Sequence, residues 1–168
     1  MDVYRRHAST AGIWTGSFEP SPLALDSDCE VWFALPLDGD VDQVWEGLNA
    51  KLTSAGVAEL RAIPALAYGV SFGDRVSVTK SAEGALVVTA IQERGAYVTF
   101  RVWLGASDDV AIWLEVVEKY AQLGCVVDAY TETLIAIAAP TERASIVRNA
   151  LIQDASGSLL DWEDGSAV

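Results

Sequence analysis

The sequence predicts an α+β fold, and three observations carry that prediction. Short β-branched and aromatic runs punctuated by Gly and Pro recur between residues 30 and 104, two later stretches space apolar residues as one helical face, and from residue 97 the elements alternate regularly. A chain of 168 residues that is 51% hydrophobic can bury enough surface to sustain one compact unit.

Residues 1–28 read as a lead-in arm: Gly12, Gly16, Pro20 and Pro22 interrupt it, and only an Ile13-Trp14 and Phe18 cluster offers a means of docking. Glu30 to Leu35, stopped by Pro36, reads as a strand. After Asp40, a good N-cap, the apolar residues Val41, Val44, Trp45, Leu48 and Leu52 share one helical face, which predicts a helix over 41–52 closed by Gly56. Gly69, Gly73 and Asp74 mark a tight turn. Alternation over Arg75–Thr79, Ala85–Ile91 and Tyr97–Leu104 then predicts a meander of three strands. The N-terminal half is therefore expected to be an antiparallel, sheet-rich subdomain, 29–104, with one helix.

Ser107-Asp108 can cap a second helix with Val110, Trp113, Leu114, Val117, Tyr120 and Ala121 on its apolar face and Gly124 just past its end. A hairpin of 125–130 and 133–139 follows. Pro140-Thr141 opens a third helix, and Ser158–Trp162 supplies a last strand. The order is β-α-β-β-α-β, so residues 97–164 are expected to form a ferredoxin-like subdomain that shares strand 97–104 with the first half. The tail from Glu163 is expected to fray.

Composition limits function. The chain carries 24 Asp and Glu against 11 Lys and Arg, a net charge of −13, with one His and two Cys. Such a field repels phosphate, which argues against nucleic-acid binding and for a basic protein partner. The start, with its Arg5-Arg6 pair but no apolar run behind it, does not fit a signal peptide, and no stretch is apolar enough to span a membrane; a cytoplasmic protein is expected, its oligomeric state unread. Cys29 and Cys125 lie in apolar company and are expected to be reduced core thiols.

Reactive groups are scarce. A triad needs a rigidly held His, and His7 falls in the arm; zinc needs about four ligands, and Cys29, Cys125 and His7 are too few. Asp38-Gly39-Asp40-Val41-Asp42 begins like a calcium loop, but Gln43 and Asn49 occupy the positions that need Gly and Glu, so a capped helix entrance fits better. No catalytic residue, cofactor or metal is expected. The remaining chemical option is a carboxylate pair, Asp128 with Glu132 or Asp74 with Glu93, acting as a hydrolase. The acidic groups at loops and element ends are the candidate partner-binding residues: Asp26, Asp28 and Glu30; Asp38, Asp40 and Asp42; Asp108 and Asp109; Asp161, Glu163 and Asp164.

Three stretches, Glu30-Val31-Trp32-Phe33-Ala34, Arg61 to Val76, and Leu123-Gly124-Cys125 with Leu134 to Pro140, together resemble the bacterial domain-of-unknown-function family numbered four-two-six-five. The resemblance covers roughly residues 28–165, with Ala62 where the family usually has Asn and the helix 41–52 read as an insertion. It implies a compact bacterial accessory domain and transfers no catalytic residue. Pro64, Gly69 and Gly73 are read as turn-makers rather than as a ligand loop. The functional expectation is a non-enzymatic immunity protein that blocks a cognate toxin with an acidic face. The alternative is a small-molecule-binding regulatory domain using Trp103, Trp113 and Trp162, which at their spacing also suit a core.

Overall fold

The computed structural model describes residues 1–7, 9–36, 39, 42–105, 110–157 and 160–166. One strand organises the first half. Strand β5 (Val44–Ser54) is eleven residues long, enough to pair antiparallel with β4 (Cys29–Ala34) along its first part and with β6 (Val57–Leu60) along its last. Strands β6, β7 (Arg75–Lys80) and β8 (Leu86–Glu93) follow as antiparallel neighbours, and β8 returns to lie parallel to β4 through Val31↔Leu86 and Trp32↔Val87. The five strands β5-β4-β8-β7-β6 thereby close on themselves. Closure removes most free edges. Strand β1 (Val3–Arg6) adds in parallel to the first part of β5. Val31, Leu48, Leu60, Val76 and Val78 fill this ring.

The second sheet has the order β12-β9-β11-β10-β2-β3, formed by β2 (Gly12–Trp14), β3 (Phe18–Pro20), β9 (Tyr97–Trp103), β10 (Val126–Ala129), β11 (Leu134–Pro140) and β12 (Asp161–Asp164). A one-turn helix α1 (Pro22–Leu25) follows β3. Every pairing in this sheet is antiparallel. Helix α2 (Val110–Gln122) joins β9 to β10, and α3 (Ala144–Ser156), entered through a 3-10 turn at Thr141–Arg143, joins β11 to β12. Both cover one face. Phe100, Val102, Val127, Ile135 and Ile137 meet Val117 and Tyr120 of α2 and Val147 and Leu151 of α3 there, all nearly or fully buried.

The opposite face of this sheet meets a stretch of irregular backbone. Residues 61–74 run between the ring and the second sheet, with Ala62, Ala67 and Val70 in the ring's core and Ile63, Ala65 and Phe72 against Val126, Leu134, Ala136 and Ala138. Only Tyr68 of this stretch is exposed. Gly69 and Gly73 adopt φ of 70° and 80°, so the turn-maker reading of these two glycines holds.

Several expectations need correction. The helix over 41–52 is instead β5: Val44, Leu48 and Leu52 satisfy a period of two as well as of 3.6, and Gly47 at the centre is a poor helix former. It is no insertion but the strand on which the ring closes. The meander of three strands ends at two, because β9 pairs with β11 and β12 in the other sheet rather than with β8. The arm is built in: β1 belongs to the ring, and β2 and β3 extend the second sheet. The tail does not fray at Glu163, since Gly165 exchanges backbone bonds with Gly69 and Thr99, and the Ser166 hydroxyl accepts from Thr99 N–H at 2.6 Å. Cys29 and Cys125 are free thiols.

Candidate functional site

A buried irregular segment cannot satisfy its own peptide groups, and each unpaired one costs about 1–3 kcal/mol, so partners must come from elsewhere. For residues 61–74 many of those partners are charged side chains. Glu46 projects from β5, fully buried, and its carboxylate accepts from three successive backbone N–H groups: Ala65 at 2.8 Å, Leu66 at 3.1 and 3.2 Å, and Ala67 at 2.7 Å. Such a row of amides forms a small anion-binding nest. Asp74 accepts from Ser71 N–H at 3.0 Å and Gly95 N–H at 2.6 Å, and pairs with Arg94, which also donates to the Gly69 carbonyl. Gly95 is required there, because a Cβ would lie 2.6 Å from the carbonyl carbon of Gly73.

From the other side, Arg101 of β9, 1% exposed, donates to the Ala67 carbonyl and to Glu163 at 3.0 Å. Its guanidinium lies 4.1 Å from the ring centre of Tyr68, whose hydroxyl also donates to Glu163, at 2.7 Å. Thr99 completes the set through Ser71.

The only histidine joins the network. His7, just past β1, places Nε2 2.9 Å from Glu46 and Nδ1 2.8 Å from Asp128 of β10, with Tyr130 against its ring at 4.7 Å. Burial alone would lower its pKa, but the hydrogen bonds and negative charges of Asp128 and Glu46 outweigh burial and raise it to about 9. At neutral pH the ring is therefore an imidazolium donating to two carboxylates. Ser9 donates to the same Asp128, at 2.5 Å, and to the Ala129 carbonyl rather than to the imidazole. The arrangement is a clamp: one cation ties β1, the ring and the second sheet together. The His7 ring is buried, which corrects its placement in a loose arm. Two signals in the sequence pointed here. Glu46 alternates with Val44, Leu48 and Ala50, and Asp128 with Val126, so each carboxylate sits on an apolar strand face and needs a partner.

Most of the predicted partner-binding carboxylates that the structure describes are already engaged. Asp26 pairs with Lys51 at 2.5 Å, Glu30 with Arg6 at 3.1 Å and Asp42 with the N-terminal amine; Asp28 accepts from Leu52 N–H at 2.9 Å. Asp164 holds Arg148 at 2.8 Å, and Glu163 holds Arg101. Asp161 is exposed and in no ion pair. Asp38, Asp40, Asp108 and Asp109 lie outside the described residues. The proposed acid–base pairs are separately employed: Asp74 with Arg94 and Glu93 with Arg75, Asp128 with His7 while Glu132 is exposed. Burial raises the thiol pKa of Cys29 to about 11 and of Cys125 to about 12, which keeps both protonated at neutral pH. Among the described residues no group of three or more His, Cys, Asp or Glu is arranged to hold a metal ion, and no helix is long and apolar enough to cross a membrane. Trp103, Trp113 and Trp162 pack, half-buried, against the cores on the two faces of the second sheet.

No curated protein matches the chain. Among solved structures it is similar to a hypothetical protein from Neisseria gonorrhoeae, with a TM-score of 0.66 over 82% of this chain and 93% of that one; at 13% identity this is a likeness of fold. The family model of a domain of unknown function, DUF4265, matches residues 46–162, from the nest carboxylate Glu46 to the last strand and including all of 61–74. The chain belongs to the DUF4265 family.

Proposed function

We propose that this is a non-enzymatic binding protein whose acidic surface docks on a basic protein, most concretely an immunity protein that covers the cleft of a toxin. One observation carries the reading: eight of the eleven lysines and arginines are spent in internal ion pairs. Arg6, Lys51, Arg61, Arg75, Arg94, Arg101, Lys119 and Arg148 each lie 2.5–3.2 Å from a carboxylate. Among the described residues Glu83, Glu115, Glu118, Glu132, Glu142 and Asp161 are exposed and outside any ion pair, against Arg5, Lys80 and Arg143 among the cations, so the uncompensated surface charge is negative. Uncompensated surface charge of one sign accelerates encounter with a partner of the other.

An open groove of about 450 Å³ along α2, lined by Glu115, Glu118, Lys119, Gln122 and Leu123, suits a protein surface better than an enclosed metabolite. The strand order β12-β9-β11-β10 with its two crossing helices supports a ferredoxin-like C-terminal half, and a scaffold of that kind leaves the outer helix faces free for docking. The test is affinity capture from the native host at low and physiological salt, paired with co-expression beside toxins encoded next to it. Recovery of one basic partner and rescue of growth are expected. Absence of both would overturn the reading.

A further inference from the structure

Three neighbouring strands, β1, β5 and β4, bring one row of side chains together on one face, and at its centre Trp32, 6% exposed, is in contact with Arg6 and Tyr4. Arg6 of β1 stands opposite Gly47 of β5, and Gly47 stands opposite Trp32 of β4, so the three lie side by side on one face. Gly47 has no side chain, and the Trp32 ring occupies the space: a Cβ at 47 would lie 2.8 Å from it. Arg6 lies over the same ring, its guanidinium 5.2 Å from the ring centre, and pairs with Glu30 at 3.1 Å. Tyr4, 61% exposed, meets Trp32 edge-on at 5.2 Å and flanks the slot.

An indole ring for the face of a planar cation, a carboxylate for its N–H groups and a second aromatic beside them are the parts of a guanidinium site. The occupant here is the protein's own Arg6, whose side chain is 69% exposed. We infer that this slot is the contact point for an arginine side chain of the basic partner, with Arg6 as an internal stand-in that the partner's arginine displaces. The inference rests on the proposed binding of a basic protein and adds a contact point on the ring to the groove along α2. Arginine is favoured over lysine because a planar guanidinium stacks on Trp32 while bonding Glu30, which a compact ammonium cannot do.

The test uses the full chain, a six-residue arginine peptide and a six-residue lysine peptide at physiological salt, followed by NMR of the backbone and indole N–H signals. The arginine peptide is expected to move the signals of Trp32, Glu30 and Gly47 before others and to bind several-fold tighter than the lysine peptide. Removing the stand-in, Arg6→Ala, is expected to tighten arginine-peptide binding about fivefold, and Tyr4→Ala or Glu30→Gln to weaken it by a similar factor. Tyr4 and Arg6 are exposed and Glu30 is half-buried, and Tyr4→Phe, which keeps the ring, should bind as the parent does. Equal binding of both peptides, shifts spread over every acidic region, or no effect of the three variants would overturn the site while leaving the acidic-surface reading intact. Binding of neither peptide would overturn the site as well.

Discussion

The two faces of the second sheet are covered by different materials, and the contrast accounts for where the charges are. On one face α2 and α3 bond their own backbones, so Phe100, Val102, Ile135 and Ile137 pack in a cluster of apolar side chains such as Val147 and Leu151. On the other face the cover is the irregular segment 61–74, which leaves N–H and C=O groups to be satisfied. The same strands accordingly turn charged and polar residues that way: Arg101 and Thr99 from β9 and Asp128 from β10, met by Glu46 and His7 from the ring side. A helical cover tolerates an apolar face, whereas an irregular cover needs polar side chains set among the apolar ones.

Mutations on the two faces should therefore fail differently. Glu46→Ala removes the acceptor for three buried N–H groups and a partner of His7, and it is expected to cost about 4 kcal/mol, read as a lower urea midpoint. The pH profile isolates the clamp. His7 has its pKa raised in the folded state, from an ordinary 6.5 to about 9, so its contribution is complete below pH 6.5 and is lost as pH rises through 9. About 3 kcal/mol should disappear between pH 6.5 and 10 in urea titrations, and His7→Gln should flatten that decline. On the helical face, Val147→Ala should cost about 2 kcal/mol with no dependence on pH over the same range. The smallest effect is expected at the surface: Asp26→Asn, breaking the pair with Lys51, should leave the urea midpoint unchanged.

The regions differ in legibility for the same reason. The helical half followed from spacing, because a helix that bonds itself and buries one stripe writes that stripe into consecutive turns; Gly124, at φ 88°, ends α2 as a C-terminal glycine should. Strand β5 was misread, because positions four apart suit either period and its neighbours in the ring are distant in sequence. Lone His7 gave no local hint of burial. Its partners, Glu46 and Asp128, lie 39 and 121 residues away, and only their positions on apolar strand faces betrayed a buried cation. The acidic clusters were legible as composition but not as availability, since charge counts do not reveal that Asp26, Glu30, Glu163 and Asp164 each already hold a cation.

Hydrogen exchange at the amides of Ala65, Leu66 and Ala67 tests most directly the claim that ionised side chains hold the irregular segment. In the parent protein these three amides should be protected nearly as well as those of β11, although they belong to no helix or strand. In Glu46→Gln their protection should fall by orders of magnitude while Ile135 and Ile137 keep theirs at a pH where both proteins stay folded. Free exchange of the three amides in the parent, or an equal loss at Ile135 and Ile137 in the variant, would contradict the account.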